Sequence, residues 1–133
     1  MRQATHEDFH FVARMVHEFN HAYYDVPLSN SRLEAWYSLH MQTGVIFITK
    51  AGFISALLVP DPVREYDIML ETGWYSDDGQ GAKLLLKLIR YAKEQGANEV
   101  RASTLDTSPP EAEALLSRLG FEMHKERGHR LQL

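Results

Sequence analysis

The chain has 133 residues, 44% of them hydrophobic and 24% charged, with no cysteine and a formal net charge of -4. Length and balance suit one globular domain that buries its own core, and the missing cysteine excludes disulfides, thiolate nucleophiles and Cys-ligated zinc. No basic block is present to neutralise phosphates, which argues against a nucleic-acid partner. The longest mainly apolar run, Phe53 to Val59, is too short for a bilayer, and the N-terminus has no apolar signal segment. A cytoplasmic protein with no membrane partner is expected.

Residues 2–4 read as a short strand. Thr5 with Asp8 three residues on makes a helix start, and Phe9, Val12, Val16, Phe19 and Tyr23 follow at helical spacing. Pro27 stops that helix. Ser31 with Glu34 predicts a second short helix over Leu33 to Met41. Val45–Thr49 and Phe53–Val59 are β-branched and aromatic, joined by Lys50-Ala51-Gly52 as a hairpin. Tyr66 to Tyr75 reads as the next strand. Gly79-Gln80-Gly81 opens the clearest helix, Ala82 to Gln95, with Leu85, Leu88, Ile89 and Ala92 as its buried stripe and Gly96 as its stop. Glu99 to Leu105 reads as a strand. Ser108 as cap and Pro109 as first helical residue begin a last helix, which Gly120 ends. Phe121–Arg127 and His129–Leu133 are expected to close the chain as a strand pair around Gly128. Helices interleave with strands, which gives an α/β or α+β class with a largely antiparallel sheet.

The chemistry-bearing window is Leu70 to Ala97, where a strand enters a glycine-rich turn and the turn enters a helix. The first amides of a helix lack internal partners, the helix dipole adds partial positive charge there, and glycine keeps side chains out of the way. Such a turn can cradle a phosphate. A Gly-x-Gly pair is also simply a flexible connection. The spacing matches neither a P-loop nor a dinucleotide fingerprint.

Over nearly its whole length the chain resembles the GNAT superfamily of N-acetyltransferases. RQATHEDF is similar to that family's opening, GVIFITKAGFISALLVPDP to its central hairpin, GWYSDDGQGAKLLLKLIRYAKEQGA to its cofactor motif and LLSRLGFEMHKERGHRL to its end. ETGWY is most similar to small members from phages and prophages. The resemblance implies a twisted, mostly antiparallel sheet of six to seven strands with about four helices, in one domain spanning 1–133. It implies acetyl-CoA as co-substrate and a small-molecule or peptide amine as acceptor. In the family's Arg/Gln-x-x-Gly-x-Gly/Ala motif, Gly79 and Gly81 take the glycine positions and Ser76 the first, with Gln80, Ala82 and Lys83 completing an amide cradle for the pyrophosphate. Trp74 and Tyr75 would offer backbone to the pantetheine arm. Glu71, on the strand before the turn, stands where the family often has a general base. Leu116 occupies the position of the family's usual Tyr proton donor.

Tyr23, Tyr24, Trp36 and Tyr37 are candidates to line an acceptor pocket, though aromatic residues at helical spacing also serve as core. Asp106 is a candidate to bind a cationic acceptor. His124 and His129 fall in the expected last strand pair. His17-Glu18-Phe19-Asn20-His21 is a literal His-Glu-x-x-His, which on a helix can hold zinc. A third ligand is required, and the nearest candidates, Glu34 and His40, lie in no recognised spacing, so no metal is expected. Two functional readings follow: an active transferase, or a domain that binds CoA without useful catalysis. A homodimer through the C-terminal strands is compatible with either.

Overall fold

The computed structural model describes residues 1–124, 126 and 128–133. They fall into two units, Met1–Ser103 and Thr104–Leu133.

In the first unit, strand β1 (Arg2–Gln3) runs into a 3₁₀ turn (His6–Asp8) and helix α1 (Phe9–Tyr23). Asp8 fixes this entry: its carboxylate accepts from the Thr5 amide at 2.8 Å and pairs with both Arg2 guanidinium nitrogens at 2.7 and 2.8 Å. The Arg2 hydrogen bond first, then that from Thr5, hold the Asp8 carboxyl far below the usual carboxylate range. Helix α2 spans Asn30–Thr43, longer than the spacing predicts. Its cap is Ser29, not Ser31: Ser29 is extended and its hydroxyl accepts from the Arg32 amide at 3.3 Å.

Strands β2 (Gly44–Ile48), β3 (Gly52–Pro60), β4 (Asp67–Ser76) and β5 (Glu99–Arg101) follow, with helix α3 (Gly81–Glu94) between the last two. The sheet order is β1-β2-β3-β4-β5, antiparallel except for the parallel β4–β5 pair. Alternation sorts the strand residues between two faces. Ile46, Ile48 and Phe53 pack with Val12 and Met15 of α1 and Tyr37 of α2. Phe47 meets Tyr91 of α3, whose stripe of Leu84, Leu85, Leu88 and Ala92 is buried. Gly44 is obligatory, since a Cβ there would stand 2.1 Å from the Ala56 carbonyl oxygen.

In the second unit helix α4 spans Pro110–Arg118. The Ser108 hydroxyl does not cap it but accepts from the Leu105 amide at 2.9 Å, leaving Pro109 at the cap and Pro110 first in the helix. Gly120 ends α4 at φ +91 while the Phe121 amide returns to the Leu116 carbonyl.

Among the described residues the sheet has five strands rather than six to seven, and β5 stops at Arg101 rather than Leu105. No strand forms among the described residues of 121–133; Lys125 and Arg127 of the expected pair lie outside them. That segment contains no β-branched residue, and Met123, Leu131 and Leu133 are exposed, so little favours a ladder there. No helix of the described residues is long and apolar enough to cross a membrane.

Candidate active site

The site begins where β4 bends. Ser55 of β3 opposes Gly73 and Ala56 opposes Glu71, so Thr72 is an extra, bulged residue. Gly73 is closely packed: a Cβ there would approach the Phe53 and Ser55 side chains at 3.0 Å. On its other side β4 pairs with β5 only from Ile68 to Leu70. Past that point β4 is laddered to β3 alone, and its outer main-chain edge from Glu71 to Ser76 is open within this unit.

That edge leads into the turn Asp77–Gln80. Gly79 sits at φ +73, a conformation glycine adopts without strain. Asp78 folds inward. Its carboxylate accepts from the Thr49 hydroxyl at 2.7 Å, the Ala51 amide at 3.0 Å, the Ser76 hydroxyl at 2.9 Å and the Gln80 amide at 3.2 Å. Burial opposes its charge, but these hydrogen bonds prevail and hold the carboxyl down at about 2. Trp74 clamps the helix start by donating its indole N–H to the Gly81 carbonyl at 3.0 Å.

Of the expected cradle, Gly81, Ala82 and Lys83 begin α3, and no hydrogen bond among the described residues engages their amides. Gln80 differs: its amide is spent on Ser76 and Asp78. Ser76 therefore organises the turn from within. The inward rotation of Asp78 also leaves one carboxylate, that of Asp77, exposed beside the helix start.

Glu71 is half-buried one residue before the bulge, opposite Ala56 on the α3 face, and its Oε1 accepts from the Ser103 amide at 3.3 Å. Burial pushes its carboxyl up to about 7, against that hydrogen bond. The aromatic candidates lie on the opposite face. Phe19 touches Tyr23, Tyr24 and Tyr75, and the Tyr75 hydroxyl stands 3.4 Å from Glu18. Burial, then the charges of Asp77 and Glu18, raise the Tyr75 phenol. Trp36 instead lies against the ring of His40, with centroids 4.5 Å apart. Tyr37 is core: it is buried and its hydroxyl donates to the Thr5 carbonyl, so it lines no pocket. Asp106 belongs to the second unit, Thr104–Leu133.

His17, Glu18 and His21 of the His-Glu-x-x-His segment are exposed on α1, and of the two candidate third ligands, Glu34 and His40, the histidine is spent elsewhere. His40 is wholly buried, with Nδ1 on the Trp36 carbonyl and Nε2 on the Thr72 hydroxyl, each at 2.7 Å. Among the described residues no three His, Asp or Glu side chains assemble as a metal site. Sequence reasoning missed Thr49, Ser55, Thr72 and the Ala51 amide, whose partners lie far along the chain.

No family model and no curated protein matches this sequence. Solved structures do match. One, described as a probable acetyltransferase, is 17% identical and aligns over 100% of this chain and 98% of its own, with TM-score 0.78. The ribosomal-protein-alanine N-acetyltransferase of Brucella melitensis biovar Abortus 2308 is 14% identical over 99% and 98%, with TM-score 0.72. AAC(6')-Iy, bound to the bisubstrate analogue CoA-S-monomethyl-acetylneamine, is 16% identical over 99% and 97%, with TM-score 0.72. The fold is the GNAT fold. Within a GNAT fold, the open β4 edge and the three unpaired α3 amides are continuous: one ends where the other begins.

Proposed function

We propose that this chain, as one domain over 1–133, transfers the acetyl group of acetyl-CoA to a primary amine by direct attack. The observation that carries the reading is the run from an open strand edge into a glycine turn and three unpaired helix amides. The amides of Gly81, Ala82 and Lys83 with the α3 dipole suit a diphosphate. The β4 edge at Trp74 and Tyr75 suits an extended, amide-bearing arm, as a strand edge accepts a peptide. Neighbours of the same fold include one bound to a CoA bisubstrate analogue and one bound to acetyl-CoA.

The chemistry asks for little more. A neutral amine nitrogen attacks the thioester carbonyl carbon, the C–N bond forms, the C–S bond breaks and the CoA thiolate leaves. The amine proton passes to Glu71, directly or through water, and solvent protonates the thiolate. A carboxyl near 7 suits that task at neutral pH. An outward backbone N–H near Trp74 or Tyr75 polarises the carbonyl. Glu71 lies on one face of the sheet and Tyr23, Tyr24 and Trp36 lie in the layer on the other, so the acceptor meets the base around the open edge of β4.

The second reading, CoA binding without useful turnover, is favoured by two features. The Gln80 amide is already satisfied, and Leu116 is no proton donor. Turnover of acetyl-CoA with a panel of small amines, polyamines and peptides decides between them. CoA release that depends on the amine supports the transferase. Binding that raises the melting temperature without product supports the module.

A further inference from the structure

The wholly buried His40 has no part in the chemistry above, yet its hydrogen bonds can have only one direction. Nδ1 lies 2.7 Å from the Trp36 carbonyl, an acceptor, so Nδ1 carries a proton. Burial lowers the ring's proton affinity against that hydrogen bond, which keeps the imidazole neutral. Nε2 is then an acceptor, and the Thr72 hydroxyl, 2.7 Å away, must donate to it. The Thr72 proton being committed, the 2.8 Å contact between the two hydroxyls is a hydrogen bond with Ser55 as donor, in preference to the Gly73 carbonyl 3.5 Å from Ser55. Thr72 is the bulged residue of β4, two residues past the last β4–β5 pair, Leu70 with Arg101. Helix α2 thus grips β4 at the point where its edge opens.

We propose that His40, acting through Thr72, is a positioning residue that holds the β4 bulge in the shape acyl transfer requires. The inference rests on reading the open β4 edge as the thioester site. Thr72 contributes a directed hydroxyl and little core packing, since as a residue it is exposed. The edge beyond it is laddered on one side only, so the hydroxyl chain sets its course. A misplacement of about 1 Å at a reacting centre can cost on the order of 100-fold in rate.

The test uses the full chain and the pair Thr72→Val and Thr72→Ser. Valine keeps the shape and removes the hydroxyl; serine restores it. Removing the buried imidazole itself opens a cavity, so His40→Ala is not the deciding variant. In ligand-free protein, long-range proton–nitrogen spectra should show His40 as the neutral Nδ1–H tautomer. An Nε2–H tautomer or a charged ring overturns the proposal. Amide exchange over 70–75 should rise at least about tenfold in Thr72→Val and return in Thr72→Ser; unchanged exchange overturns it. With acetyl-CoA and an amine, kcat should fall roughly 10- to 100-fold in Thr72→Val while the acetyl-CoA KM stays within about twofold, and Thr72→Ser should recover most of the loss. Unaltered kcat, or kcat and KM failing together with lowered Tm, overturns positioning and leaves the transferase reading standing. Absence of any wild-type turnover sinks the transferase reading instead, and the tautomer and exchange results then decide whether His40 holds the bulge.

Discussion

Asp78 offers the most exacting check on the turn. Its carboxylate collects four hydrogen bonds, two from the β2–β3 hairpin, one from Ser76 at the end of β4 and one from the turn itself. The carboxyl falls from 3.8 to about 2, a change worth about 2 kcal/mol of preference for the charged folded form. Partial exposure to solvent discounts this to about 1–2 kcal/mol. Because the folded value lies below the unfolded one, the contribution is complete above about pH 4 and drains away as pH falls through about 2; near pH 3 roughly half remains. Asp78→Asn should therefore lower the free energy of unfolding in urea by about 1–2 kcal/mol at pH 7, with the gap narrowing by about half at pH 3. Equal stability of the two proteins at pH 7, or a gap that does not change with pH, would refute the role assigned to this carboxylate.

Three further outcomes follow from the same geometry. Glu71→Gln should cut kcat by roughly 10²–10⁴-fold with little change in acetyl-CoA affinity, and it should abolish the rise in wild-type kcat through about pH 7 that a base near that value gives. Steady-state rates from pH 6 to 9 check this, and an unchanged profile removes Glu71 from the mechanism. Gly44→Ala should prevent stable folding, because the new methyl would overlap the Ala56 carbonyl at 2.1 Å; circular dichroism of the purified variant is the readout. Leu88→Ala, in the wholly buried stripe of α3, should cost about 2–5 kcal/mol in urea unfolding.

What was legible in the sequence was local. The stripe and glycines around α3 place that helix within about one residue of its observed ends, and Thr5 with Asp8 marks the entry to α1. Local rules also misled. Ser31 with Glu34 imitates a capping box, yet Ser29, with Arg32 rather than an acid three residues on, is the cap. The tail beyond Gly120 has apolar residues but no β-branched ones, and its described residues form no strand. Asp78 reads as a charge that repels a diphosphate; only the fold brings Thr49 and Ala51 to satisfy it. The bulge at Thr72 and its bond to His40, 32 residues away in sequence, exist only once α2 lies on β4. Side chains whose partners are distant in sequence leave no periodic trace.

A titration of labelled protein with CoA, following the backbone amides one by one, tests the central claim most directly. Binding should move the amides of Gly81, Ala82 and Lys83 most, with those on the β4 edge at Trp74 and Tyr75, and should move Gln80 less because Ser76 and Asp78 already hold it. Saturable binding that leaves those three helix amides still, or no binding at all, would contradict the account.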